Sequence, residues 1–253
     1  MRRPSIPAGR SSWLHVPLLF FNRWRTEFGL KRQGLRFRDE DSAVSDHAYA
    51  SMTSDEFARI NACQAWADWR VIPPLIEKVD APRPWRIIDL GCGQGISTEV
   101  LAWCCPAGSS LLGYDLSESA LDVAKKRAYR HWDGSPANVY FKVQEVDQPW
   151  RDSDENIIEN SSVTVVNASG FFGHHLAEER LMKIADEIHR VLAPGGWALL
   201  DSGPQLGRRK LERMMSARGF TLQLHRRSWW LDRWGQSAFF KLPNTKMPNT
   251  PTG

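Results

Sequence analysis

Apolar positions change period repeatedly along the chain, and each change marks an element. "TSDEFARINACQAWADWRVIPPLIEKV", Thr53 to Val79, carries apolar residues at helical spacing behind a Thr or Ser cap and an acidic first turn, with a disturbance at Pro73-Pro74. Short apolar runs then alternate with helical patterns. "WRIIDL", "SLLGYDL", "NVYFKV", "SSVTVVNAS" and "GWALLDS" read as strands. "STEVLAWCC", "SESALDVAKKRAYRHW", "LAEERLMKIADEIHRVL" and "GRRKLERMMSARG" read as helices, the last closed by Gly219. "FTLQLHRR" and "GQSAFFKL" close the series as two strands near each other in sequence. This alternation predicts a mainly parallel sheet with helices on both faces and one antiparallel edge strand.

The ends lack this patterning. Residues 1–45 show no sustained periodicity and are expected to form a basic arm, partly disordered or acting as a lid. The folded domain is expected over 46–242. "PNTKMPNTPTG" has no apolar face and predicts a disordered tail over 243–253.

Composition narrows the class. The chain has 253 residues, 42% hydrophobic and 25% charged, which suits one soluble globular domain with extra ends. "VPLLFF" is far shorter than the ~20 apolar residues of a membrane span, and no cleavage site of a secretory signal follows it. Cys63, Cys92, Cys104 and Cys105 form no C-x-x-C pair, which argues against a disulfide framework or zinc knuckle and for a reducing cytoplasm. Charge is uneven. Residues 1–38 hold nine Arg and Lys against Glu27 alone, on a chain of net charge +4, so the remainder is net acidic. Such an arm suits nucleic acid or anionic lipid, a solvated leader, or an organelle transit peptide.

The chemistry concentrates in "RIIDLGCGQGIS". A strand runs into Asp89, and Gly91, Gly93 and Gly95 follow before a helix begins. Alternate glycines let the backbone turn sharply and approach a ligand with no Cβ in the way. In an open parallel sheet such a turn lies at the carboxyl edge, where ligands bind. The next strand ends in Asp115, an acid suited to the vicinal hydroxyls of a ribose. The spacing is G-x-G-x-G, not the G-x-G-x-x-G of a dinucleotide site, which argues against a nicotinamide oxidoreductase.

"IIDLGCGQGIS", "GYDLSESAL", "HRVLAPGGWALLD" and "ARGF" together resemble the class I S-adenosylmethionine-dependent methyltransferases, in the broad group that modifies small molecules. The resemblance runs from about Tyr49 to Leu242. It implies a Rossmann-like, doubly wound seven-stranded sheet in three αβα layers, mostly parallel, with antiparallel strand seven inserted beside strand five. It implies S-adenosyl-L-methionine as cofactor, with Gly91, Cys92, Gly93 and Gly95 along its methionine part. By the same resemblance Asp89 fixes the loop and favours the cationic end, Asp115 takes the ribose hydroxyls, and Leu116 lies beside the adenine. Glu145 and Val146 follow strand three, with Asp147 as a rival acid, and Asn167 and Ala168 end strand four facing the sulfonium.

His174 and His175 follow strand four, where the resemblance implies the methyl acceptor. Adjacent residues on a helix lie ~100° apart, so one metal ion does not suit both, and no metal is expected. Two readings stay open: packing or capping at the next helix, and orienting or deprotonating the acceptor as catalytic groups. Tyr49 suits a lid, and Phe171, Phe172, Trp229 and Trp230 suit pocket walls or core. The expected function is methyl transfer to oxygen, nitrogen or carbon of a small molecule. The alternatives are a nucleic-acid methyltransferase using the basic arm, or an inactive cofactor-binding module. "NASG" after strand four lacks the prolines of amino-methylating nucleobase enzymes.

Overall fold

The computed structural model describes residues 14, 16–36, 47–48, 51–174, 176–230 and 232–243. Most of the expected arm before Val16, Tyr49, His175 and all but the first residue of the tail lie outside these residues.

In chain order the elements are α1 (Val16–Arg32), α2 (Ser54–Ile76), β1 (Arg86–Leu90), α3 (Ile96–Cys104), β2 (Ser110–Asp115), α4 (Glu118–Lys125), β3 (Asn138–Val143), β4 (Val163–Ala168), α5 (Glu178–Val191), β5 (Leu192–Asp201), α6 (Arg208–Ser216), β6 (Phe220–Arg226) and β7 (Gln236–Lys241). All seven strands join one sheet in the order β3-β2-β1-β4-β5-β7-β6. The order reverses between β1 and β4, which pair in parallel from Ile87↔Val165 to Leu90↔Ala168. That reversal opens a crevice at the carboxyl edge of the sheet.

Alternate residues of each strand feed two cores. Ile87, Val165 and Leu199 pack with Ile72 and Leu75 of α2 and Leu101 of α3 on one face. Ile88, Val166 and Leu200 pack with Ile184 and Ile188 of α5 and Leu211 of α6 on the other. This gives the three αβα layers.

Three expectations need correction. The antiparallel strand is not at the edge, as the apolar pattern alone suggests, but beside β5, as the resemblance implies: β7 lies between β5 and β6 and runs antiparallel to both. A chain returning from β6 by a short connection must run antiparallel to it, and the free place beside β5 lets β7 bury both edges. The helix expected up to Trp132 stops at Lys125. The chain there turns back so that Arg130 bridges Pro136, and buried His131 places Nδ1 3.0 Å from the Ala102 carbonyl. The third concerns the arm, where Val16 to Arg32 form a helix lying on α2. Its period is masked in sequence because two opposite faces are apolar, one holding buried Val16 and Leu30 and the other holding exposed Leu18, Phe21 and Phe28.

Helix α2 opens with a full capping box. The Glu56 N–H donates to Thr53 Oγ1 at 3.3 Å, and the Thr53 N–H donates to Glu56 Oε2 at 2.9 Å. The helix continues through Pro73-Pro74 to Ile76.

Candidate functional site

The loop after β1 is held in three left-handed steps, with φ of +63° at Gly91, +51° at Gly93 and +78° at Gly95. Glycine takes this backbone without the Cβ clash that other residues meet. Close approach adds a second reason. A Cβ on Gly91 would stand 2.6 Å from the Phe171 ring, and one on Gly95 would stand 2.0 Å from the Tyr129 hydroxyl. Asp115, at the end of β2, ties the turn down: Oδ2 accepts from the Gly93 N–H and Oδ1 from the Ser117 N–H, both at 2.8 Å. Burial raises the Asp115 carboxyl above its ordinary range, and these N–H donors pull it back.

Above this turn lies a cavity of about 470 Å³, of a size that holds a small molecule or cofactor. Gly91, Cys92, Gly93, Asp115, Leu116 and Val146 line it, and these sequence candidates are brought together. Gln144 sits in the wall after β3, while Glu145 points out into solvent. From β4 the lining comes from Ser169, Gly170 and Phe171. Phe172 is fully buried in the core.

Residues 87–196 match the family described as a methyltransferase domain. Trans-aconitate 2-methyltransferase of Acidovorax sp. (strain JS42) is 34% identical over 123 residues, covering 48% of this chain and 40% of that protein. The cypemycin N-terminal methyltransferase of Streptomyces sp is 32% identical over 132 residues, covering 50% of this chain and 46% of that protein. The chain thus spans less than half the length of either relative. In fold it resembles magnesium protoporphyrin IX methyltransferase from Synechocystis PCC 6803 with bound SAM, at a TM-score of 0.58 and 18% identity over 81% of this chain and 99% of that one. Residues 87–196 are thus similar to a methyltransferase domain, and the sheet shares the fold of such an enzyme.

Several expected contacts of that domain stand behind the cavity, not in it. Asp89 is fully buried and accepts from Ser97 Oγ at 2.7 Å, Thr98 Oγ1 at 2.6 Å and Asn167 Nδ2 at 2.7 Å. It pins the first turn of α3 to β4 and lies outside the lining of the cavity. Asn167 is spent on Asp89 and on the Gln236 amide of β7, whose Nε2 donates to Asn167 Oδ1 at 2.8 Å. Ala168 is buried in the core, and Gly95 caps α3. These residues brace the cavity from behind.

Helix α2 supplies what the sequence reading missed. Phe57, Asn61, Gln64 and Asp68 line the same cavity from one face of the helix, at steps of four, three and four. Asp68 is 3% exposed. Its Oδ1 accepts from Gln64 Nε2 at 2.9 Å and from the Ser169 hydroxyl. Burial pushes its carboxyl up to about 7, helped by the negative charges of Asp89 and Asp201 and opposed by the Ser169 and Gln64 donors. The available signal was a polar stripe on the helix face that should have been apolar.

A second cavity, of about 340 Å³, adjoins the first and shares Gln64, Asp68 and Ser169 with it. Phe20 and Arg23 of α1, Trp66 of α2, and Trp229 and Asp232 of the β6–β7 loop wall it. His174 lines this second cavity, with Nε2 3.5 Å from Asp201 Oδ2. Asp201 holds the β4 loop, accepting from the Phe172 N–H at 2.9 Å and the Gly173 N–H at 3.2 Å. Burial raises the Asp201 carboxyl, and the His174 charge lowers it. Among the described residues, no group of three or more His, Cys, Asp or Glu is placed to hold a metal ion.

Proposed function

We infer that this chain is an S-adenosylmethionine-dependent methyltransferase that moves a methyl group to oxygen, nitrogen or carbon of a small-molecule acceptor. The observation carrying this reading is the glycine-floored cavity with Asp115 on its rim. A Cβ at Gly93 would stand 3.0 Å from the Phe57 ring, on the side from which α2 covers the cavity. In this reading the Gly91–Gly93 backbone holds the amino-acid end of the cofactor. Asp115 accepts from the ribose hydroxyls, and Leu116 and Val146 flank the adenine. Bound there, the cofactor supplies a methyl group already activated by its sulfonium.

The chain's own task is then placement of the acceptor in line with that methyl. The second cavity is the acceptor site in this reading, joined to the first at Asp68 and Ser169. A carboxyl poised near 7 is matched to taking a proton from an acceptor hydroxyl or ammonium at neutral pH. Asp68 receives that proton on its carboxylate, and Ser169 and Gln64 hold the carboxylate in place. His174 is the second polar group available to orient the acceptor. Phe20, Trp66 and Trp229 suit an acceptor with an apolar part. Four free thiols support work in the cytoplasm.

Calorimetry of the full chain with S-adenosylhomocysteine and with NAD tests the cofactor. Binding of the first alone is expected, and binding of NAD alone overturns the reading. Incubating metabolite, RNA and protein fractions with methyl-labelled cofactor tests the acceptor class. Label in a small molecule is expected, and label confined to RNA or protein overturns that part.

A further inference from the structure

Helix α1 faces two ways. Its inner side carries Val16, Leu19, Phe20 and Arg23 to the domain, where Leu19, Phe20 and Arg23 wall the second cavity. Its outer side carries Leu18, Phe21, Trp24 and Phe28, each more than half exposed. At 100° per residue these four fall within about 120° of the helix circumference, opposite the buried side. The rings form a ladder. Phe21 and Trp24 have centroids 6.4 Å apart, and Trp24 and Phe28 are stacked at 5.9 Å. A second chain of rings runs from Phe20 through Trp229 to Trp230, which is largely exposed. An apolar helix face of this kind is normally covered.

The charge beside it indicates what covers it. Arg25 and Arg32 share the outer face with the rings, and Lys31 and Arg36 are exposed at its C-terminal end. The Arg32 guanidinium lies 6.0 Å from the Phe28 ring centroid. Glu27, the one acid of the segment, sits on the inner side and pairs with Lys31 at 3.1 Å. The outer surface is thus a stripe of aromatic and aliphatic side chains edged by cations alone. Two copies packed stripe to stripe would bring Arg25 and Arg32 against their own kind. A bilayer with anionic headgroups offers an apolar layer for the rings and phosphates for the cations, and tryptophan suits that boundary. Among the described residues, no helix is long and apolar enough to cross a membrane, so the contact is one of lying on the surface.

We propose that the outer face of α1 docks the protein on an anionic lipid surface, with Leu18, Phe21, Trp24 and Phe28 entering the interface and Arg25 and Arg32 meeting lipid phosphates. The same helix walls the second cavity, so docking sets that cavity beside the bilayer. Binding to lipid is read without turnover, so it stands or falls separately from the methyltransferase reading.

Flotation of the full chain with phosphatidylcholine vesicles, and with vesicles containing phosphatidylglycerol, tests this directly. The anionic vesicles are expected to carry the protein, less so as salt rises. A variant with Phe21→Ser, Trp24→Ser and Phe28→Ser should lose vesicle binding by at least about tenfold at unchanged melting temperature. Should that variant unfold, Arg25→Glu with Arg32→Glu tests the same face, with an expected loss of about tenfold on anionic vesicles. Equal binding to neutral and anionic vesicles overturns the proposal, as does binding that neither variant changes. Absence of vesicle binding overturns it too. In that case, self-association lost with the aromatic residues assigns the face to a second copy, and RNA binding lost with the arginines assigns it to nucleic acid.

Discussion

The first cavity is walled mainly by the segments that follow β1, β2, β3 and β4, where each strand delivers one short stretch to the rim. Segments far apart in sequence make the second, from Phe20 of α1 through Trp66 of α2 to Trp229 and Gln236. They differ in chemistry as well. The first is floored by backbone, with its acid Asp115 bonded to its own loop, while the second gathers Asp68, Asp201, Asp232, Arg23 and His174. The difference matches two demands of the proposed methyl transfer. In the proposed function the first suits a cofactor held by a cradle of short loops, and the second an acceptor held between distant segments. Asp68 and Ser169 belong to both, and the join is where the comparison breaks most readily.

Asp68→Asn should have the largest effect. As the proposed base its loss should lower kcat by about 10²–10⁴-fold and remove the rise in activity through the pH range near 7. Affinity for S-adenosylhomocysteine should change little. A loss of that affinity with the pH limb intact would make Asp68 a structural residue of the first cavity. Stability gives an independent readout. The carboxyl titrates near 3.8 when unfolded and at about 7 when folded. Between those values the unfolded chain releases a proton that the folded chain keeps, so Asp68 lowers stability progressively and then by a constant amount above about 7. Thermal melts should therefore favour the variant increasingly across that window.

Asp115→Ala acts on the other side of the join. S-adenosylhomocysteine affinity should fall by about 1.5–3 kcal/mol, the range for a hydrogen bond to a charged group. The acceptor KM should stay nearly constant. Unchanged cofactor affinity by calorimetry would remove Asp115 from the ribose and leave it as the clamp on Gly93 and Ser117.

The same contrast explains what the sequence disclosed. Gly91 and Gly93 were legible because a strand, a turn and a helix start lie within a few residues of one another, and Asp115 because it closes the next strand. The seven strands were legible because short apolar runs stand between amphipathic helices. Asp89 and Asn167 were expected at the ligand, yet they face each other behind it. Their strands are buried on both faces, so no polar alternation told which side chains point at the crevice. Asp68 and His174 meet one cavity only through tertiary packing. Helix α1 was missed because an apolar stripe on each side cancels the usual periodicity.

Gly95→Ala probes the cradle through stability. The left-handed φ of +78° costs an alanine about 1–2 kcal/mol, and its Cβ would also meet the Tyr129 hydroxyl. Measured by denaturant unfolding against Tyr129→Phe alone, which loses the hydroxyl's bond to the Ala124 carbonyl, the double variant should cost less than Gly95→Ala does in the native chain but keep the backbone cost. Full recovery would mean that the backbone conformation carries no strain there.

Thr53→Ala should have the smallest effect and the widest reach. It removes one half of the capping box of α2, a loss of about 1 kcal/mol of stability. That helix roofs both cavities, through Phe57 and Asn61 over one and Trp66 over the other, with Asp68 at the join. A frayed first turn lies nearer the first cavity, since Phe57 sits one turn into the helix and Trp66 more than three. Cofactor affinity should therefore weaken slightly more than acceptor KM rises. An effect on the acceptor alone would mean that the two cavities do not share α2 as a rigid wall, and the division between a local cradle and an assembled site would have to be redrawn along the helix itself.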